Sequence, residues 1–330
     1  MFWRRLRDWI VLILGSIVVF LVLGELTMRA YLSTRTFYDV EMSRYGLTLK
    51  VESPNPLIGH VHRPGSKAEL MNVQVEINSD GFRDAEYPLE KGDVWRVVVL
   101  GDSLTFGWGV EREQTFEYLL EQALNRDRPT EMINLGTGNY NTVQEVNLFL
   151  EKGLAYEPDQ VVLFFFINDA EPVPKRSSMA WAGHFRILTF YWSRLKALLA
   201  QVEPQATFEE YYSALYAPDA AGWRASQAAF LQLRDVCRER GIVFQVVILP
   251  ELHNLVDYTF AEEHELLTNF LAKHEIPVLD LAPAFSDQTE PMSLWVSFDD
   301  AHPNAAAHRR IAEASRSFVA QRSMESERPR

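Results

Sequence analysis

A single cysteine, Cys237, stands in the 330 residues, so no disulfide can form within the chain. Its setting, Arg234-Asp235-Val236-Cys237-Arg238-Glu239-Arg240, reads as helix and makes it a structural thiol. It also lies far from the N-terminus, where a lipoprotein signal would need it. Positive charge is scarce: 32 Lys and Arg face 45 Asp and Glu, a net charge of -13. That balance excludes the basic face a nucleic-acid binder needs for phosphates. Internal repeats and low-complexity segments are absent. His60 and His62 share a face of an extended segment, but no third ligand accompanies them. Neither a metal nor another cofactor is therefore expected.

Apolar residues make up 47% of the chain, ample for a packed core. One apolar run, Trp9 to Gly24, is uncharged and follows Arg4, Arg5 and Arg7. As a helix it spans about 24 Å, and with Leu26 to Met28 it approaches the ~30 Å hydrocarbon core. Glu25 then falls near an interface. The basic flank sets the N-terminus in the cytoplasm and the remainder outside an inner (cytoplasmic) membrane. The run reads as an uncleaved anchor. A cleaved signal peptide, with Val22-Leu23-Gly24 as its cleavage site, is the competing reading.

Residues 31–93 form a short extension, expected to pack on the main domain, with turn signals at Ser53-Pro54-Asn55-Pro56 and Arg63-Pro64-Gly65. Within it, Val73-Gln74-Val75-Glu76-Ile77 alternates as a half-exposed strand does, and Asn78 to Asp84 reads as a turn with Gly81 at positive φ. From residue 94 apolar strands near 95–100, 131–135, 159–167, 242–249 and 276–281 alternate with amphipathic helices near 112–126, 141–156, 223–240, 258–274 and 304–321. Short continuous apolar strands between helices predict a parallel sheet covered on both faces, in a flavodoxin-like winding. Residues 170–222 interrupt the third crossover with Trp181, Phe185, Phe190, Tyr191, Trp192, Phe208, Tyr211, Tyr212 and Tyr216. A short charged tail, 323–330, is expected to be disordered.

The chemistry-bearing residues cluster at strand ends. Val97-Val98-Val99-Leu100 runs into Gly101-Asp102-Ser103-Leu104-Thr105-Phe106-Gly107, which lifts one hydroxyl above the sheet edge. Taken alone, Ser103 could be an ordinary helix N-cap. A neutral serine is a weak nucleophile and needs a base, for which His302 in Asp299-Asp300-Ala301-His302-Pro303-Asn304 is the candidate. A turn there would bring Asp299 to the other ring nitrogen, whereas the plain alternative is a loop capping the last helix. Asn168, ending Phe165-Phe166-Ile167-Asn168-Asp169, offers an amide to an oxyanion, as does the Ser103 N–H. A further donor should come from the loop Asn134 to Thr142. The remaining histidines lack such partners.

In combination and order these motifs resemble the SGNH (GDSL) hydrolase family, in its membrane-anchored bacterial type, over about residues 94–320. The resemblance implies a three-layer α/β/α fold in a domain of residues 94–322 carrying the 170–222 insertion. It implies Ser103 as nucleophile, His302 as base and Asp299 as its partner. Ser103 N–H, the Asn168 amide and either Gly138 or Asn139 in the glycine loop would form the oxyanion hole. The pattern departs from the family where Phe166-Ile167-Asn168-Asp169 replaces Gly-x-Asn-Asp, and where Gly138 precedes Asn139.

The expected activity is therefore serine-dependent ester hydrolysis or O-acyl transfer, on acylated glycan of the cell envelope alongside envelope polysaccharide machinery. Two alternatives stand beside it: a lipase, lysophospholipase or thioesterase acting on acyl chains, and a catalytically silent glycan-binding protein.

Overall fold

Helix α1 (Phe2–Leu32) follows from the long apolar run, and α2 (Tyr38–Thr48) from an amphipathic stretch behind it. In the computed structural model, which describes residues 2–32, 34–173, 183–202 and 206–321, the chain forms two compact units. The first contains α1, α2 up to Leu47 and the later helix α6 (Arg186–Val202). Met28, Leu32 and Val40 form its small core, with Phe37, Ile187 and Phe190 against them. Glu25 accepts hydrogen bonds from the backbone N–H of Arg186 at 3.1 Å and of Ile187 at 3.0 Å, so a carboxylate on α1 caps the start of α6. The apolar side chains from Trp9 to Leu23 are otherwise exposed. Among the described residues α1 is the one helix long and apolar enough to cross a membrane, a test that a signal sequence also passes.

The second unit holds the sheet. Two small hairpins precede it: β1 (Lys50–Glu52) with β2 (His60–His62), and β3 (Lys67–Leu70) with β4 (Val73–Glu76). Gly81 takes φ 92° in the turn after β4, as expected from its setting. Then β5 (Trp95–Leu100), β6 (Thr130–Asn134), β7 (Gln160–Phe165), β8 (Val243–Ile248) and β9 (Val278–Asp280) pair in parallel, in the order β6-β5-β7-β8-β9. This is the predicted five-stranded, flavodoxin-like sheet.

Period-two alternation sorts each strand's side chains into two cores. Val98, Leu100, Leu163 and Ile248 face one core with Phe149 of α5 (Thr142–Glu151), Phe230 of α8 (Ala221–Arg240) and Leu271 of α9 (Ala261–Lys273). Val97, Val99, Phe164 and Val247 face the other, with Leu120 of α4 (Phe116–Leu124) and Ile311 of α10 (Ala305–Val319). Each such buried aliphatic or phenyl group contributes about 1.5–3 kcal/mol, which is why both faces of the sheet must be covered. Cys237 is buried on α8, and burial pushes its thiol up to about 12, which leaves it inert.

The aromatic segment divides between the units. Phe190, Tyr191 and Trp192 lie on α6 in the first. Phe208, Tyr211 and Tyr212 lie on α7 (Phe208–Ala214) in the second, where Tyr216 is buried in the core and donates from its hydroxyl to the Ile167 carbonyl at 2.9 Å. Trp181 and the tail 323–330 fall outside the described residues.

Candidate active site

Strand β5 ends at Leu100 and the chain turns at once into the short helix α3 (Ser103–Phe106). A Cβ on Gly101 would lie 2.0 Å from Thr105 Oγ1, so only glycine allows this turn. The N-cap of α3 is Asp102, whose Oδ1 accepts from the Leu104 N–H at 2.8 Å. That assignment matters: with the cap taken by Asp102, the Ser103 hydroxyl is released from backbone duty. It donates instead to His302 Nε2 at 2.8 Å.

His302 lies on β11 (Asp300–Pro303), paired with β10 (Trp295–Ser297) in a tight hairpin. Its Nδ1 donates to Asp300 Oδ1 at 2.5 Å, and its backbone N–H reaches the same oxygen at 3.1 Å. Asp299, expected as the partner of His302, is not brought to it. It is exposed in the hairpin turn, where Oδ1 accepts from the Ser297 hydroxyl at 2.7 Å. The reason is the local backbone. A turn would favour a spacing of three, but the chain is extended, so positions two apart share a side and Asp300 faces His302.

Asp300 is buried, and its Oδ2 accepts from the Trp108 indole N–H at 2.8 Å. Burial pushes its carboxyl up, but the hydrogen bonds it accepts from His302 and Trp108 outweigh this and hold it below the usual carboxylate range. It remains an anion facing the imidazole.

The Asn168 side chain stands at the end of β7 and donates from Nδ2 to Asp102 Oδ2 at 3.1 Å. An amide nitrogen carries a second hydrogen, which this bond leaves available. In the loop after β6, Gly136 lets the chain approach α3: a Cβ there would lie 2.4 Å from the Phe106 backbone nitrogen. Asn139 follows in the left-handed region, at φ 64°. Its N–H donates to nothing among the described residues. The Gly138 carbonyl accepts from Lys50 Nζ at 2.5 Å and from His60 Nε2 at 3.2 Å, and because a carbonyl only accepts, His60 carries its proton on Nε2. Burial pulls His60 down to about 3, so the ring is neutral.

Carboxylates underlie this side. Burial raises Asp102, and burial together with like charge raises Glu145 and Asp169 well above the ordinary range. Both Glu145 oxygens and Asp169 Oδ1 are buried without a hydrogen-bond donor. Burial and their mutual like charge therefore favour the protonated form of these acids.

The structure thus brings together Ser103, His302 and Asp300, sets Asn168 on the neighbouring Asp102, and ties the loop after β6 to the end of β5 through the Thr137 N–H, which donates to the Gly101 carbonyl at 3.1 Å. A serine hydroxyl bonded to an imidazole that is in turn bonded to a buried carboxylate can pass its proton to Nε2 as the oxygen attacks a carbonyl carbon. Sequence reasoning missed Trp108, Lys50 and the capping role of Asp102. A signal existed for the first: Trp108 sits between Gly107 and Gly109, both at positive φ, a bend that needs a purpose.

The GDSL-like lipase/acylhydrolase family profile matches residues 99–310. No curated protein matches the chain. Among solved structures the chain is similar to a two-domain esterase (CEX) active on acetylated mannans, at 16% identity and TM-score 0.45, covering 69% of this chain and 49% of that one. It spans about half of that protein's length. It is also similar to the acetyl xylan esterase AlAXEase, at 17% identity and TM-score 0.43, covering 68% of this chain and 99% of that one. A lipase/acylhydrolase from Enterococcus faecalis is similar at 13% identity and TM-score 0.43, covering 68% and 95% respectively.

Proposed function

The chain belongs to the GDSL-like lipase/acylhydrolase family, and on that premise we propose that it forms an acyl-enzyme on Ser103 and acts on O-acyl groups of cell-envelope glycan outside the membrane. The observation that carries the chemistry is the continuous relay from Ser103 Oγ to His302 Nε2 (2.8 Å) and from His302 Nδ1 to Asp300 (2.5 Å). Ser103 attacks the acyl carbon while His302 takes its proton. The oxyanion is held by the Ser103 N–H, the Asn139 N–H and the Asn168 amide. Collapse expels the alcohol, which takes the proton back from His302. Water or a sugar hydroxyl, deprotonated by the same histidine, then releases the acyl group.

Two observations support a sugar substrate. Phe298, beside Asp299 in the β10–β11 turn, is 83% exposed. Tyr211 is exposed and donates to Glu171 at 3.0 Å, a short way beyond Asn168. An open aromatic face and a tyrosine–carboxylate pair are the groups that stack on and hydrogen-bond to pyranose rings. For location, α1 serves as the anchor, its basic end on the cytoplasmic side. Alkaline carbonate should leave the full-length chain in the membrane pellet; release to the supernatant would count against the anchor.

A second reading, acyl-chain hydrolysis at the bilayer, draws on α6, whose Leu188, Tyr191, Trp192 and Leu195 are exposed. The deciding test uses the full-length chain in detergent, comparing kcat/KM on p-nitrophenyl acetate and p-nitrophenyl octanoate. A preference for acetate supports the glycan reading, and a strong preference for octanoate selects the second. In either case Ser103→Ala should lower kcat by about 10⁶-fold; a loss below about tenfold would remove Ser103 from the chemistry.

A further inference from the structure

We propose that Lys50 and His60 are positioning residues for the oxyanion hole, holding and polarising the Gly138–Asn139 peptide through its carbonyl. This rests on the reading above, in which the Asn139 N–H is an oxyanion donor. Both residues precede the segment matched by the family profile, residues 99–310, so the hairpin that carries them is an addition to the hydrolase core.

The Gly138 oxygen accepts at 2.5 Å from Lys50 Nζ and at 3.2 Å from His60 Nε2. The same Nζ donates at 3.0 Å to Asn139 Oδ1, so one amino head grips two consecutive residues of the loop. Carbonyl and N–H of one peptide unit share a conjugated system. Donors on the oxygen draw electron density from the nitrogen and make its N–H a stronger donor, as in any cooperative hydrogen-bonded chain. The grip also holds Asn139 in its left-handed conformation, φ 64°, which a residue with a Cβ adopts at some cost.

The hairpin is itself fixed. In its register Lys50 pairs with His62 and Glu52 with His60, which puts Lys50 and His60 on one face. The His62 ring donates to the Gly81 carbonyl at 3.2 Å, and Gln144 of α5 donates to Ile58 at 2.8 Å. The Tyr140 hydroxyl, from the residue after Asn139, donates to the His60 carbonyl. Desolvation pulls Lys50 well below the ordinary lysine range; ammonium and amine both donate, so the contact persists through its titration.

The test compares full-length wild type, Lys50→Met, Lys50→Arg and His60→Phe in detergent micelles. It reads kcat and KM on p-nitrophenyl acetate and inhibition by phenylboronic acid, whose serine adduct is a tetrahedral anion. Lys50→Met should lower kcat about tenfold, less than removal of a donor costs, with KM within about twofold of wild type. Inhibition by the boronic acid should weaken by the same factor, and Lys50→Arg should restore most of both. A Lys50→Met enzyme with wild-type kcat, or with reduced kcat and unchanged boronic acid affinity, overturns the proposal. Should Lys50→Met fail to fold, His60→Phe, which keeps the ring packed on Tyr140 (centroids 5.0 Å), should show the same signature at smaller size; unchanged boronic acid affinity in it overturns the proposal equally. A wild-type chain without Ser103-dependent turnover defeats the esterase reading itself, before any Lys50 variant is read.

Discussion

His302, which bonds Ser103, and Asp300, which bonds His302, come from a single four-residue strand, Asp300–Pro303, two positions apart. The proposed oxyanion donors come instead from the ends of β5, β6 and β7, and the loop after β6 rests on a hairpin that begins at Lys50. The first arrangement uses a full charge: an anion, held ionised by the imidazole and by Trp108, faces His302 directly. The second uses dipoles whose aim depends on what lies behind them, including Glu145 and Asp169, whose burial raises both carboxyls above the ordinary range. A locally built device loses most of its effect when one member is removed. A dispersed one loses a share at each point of support.

The sharpest test of that contrast concerns the partner of His302. Asp300→Ala should lower kcat by about 10⁴-fold, as loss of the orienting acid does in related triads, while Asp299→Ala stays within a few-fold of wild type. The reverse order in steady-state kinetics would break the comparison at its first term and return the role to Asp299. Among the proposed oxyanion donors, Asn168→Ala should cost about 3 kcal/mol, or about 10²–10³ in kcat, with KM little changed. Turnover near wild type would take Asn168 out of the site.

The smallest effect concerns the buried acids. Their folded-state pKa values are raised, so the native state keeps a proton that the unfolded chain releases above the ordinary carboxylate range. Their contribution to stability is full in acid and is lost as pH rises through the folded values. Glu145→Gln removes that loss. Its Tm relative to wild type should therefore rise by about 2–4 °C between about pH 5 and about pH 8, followed by thermal unfolding monitored by circular dichroism. A difference independent of pH would show that Glu145 is ionised in the folded state.

The sheet was legible because its signal is local: apolar runs such as Val97 to Leu100 and Val161 to Phe165 each fill a strand buried on both faces. Ser103, His302 and Asn168 stood out as candidates for a related reason, since each stands at a strand or loop end that the periodicity already marks. Asp300 was not. Two adjacent aspartates differ in role only through the backbone between them and His302, and a spacing of three suits a turn whereas a spacing of two suits the strand that forms.

The aromatic segment 170–222 reads as one insertion in sequence, yet part of it packs with α1 and part with the sheet. Glu25 reads as a charge near a membrane boundary and is also the cap of a helix that starts at Arg186.

Sequence alone therefore determined the order of strands and helices, the apolar N-terminal helix and the choice of Ser103 and His302 as candidate nucleophile and base, because periodicity and strand-end residues act over a few positions. Tertiary structure decided which carboxylate meets His302, that Trp108 supports it, and that Lys50 and His60 grip the Gly138 carbonyl. Those are contacts between residues distant in the chain or aimed by a backbone angle, and a hydrogen bond 2.5–3.2 Å long exists only once folding has brought both of its ends to the same place.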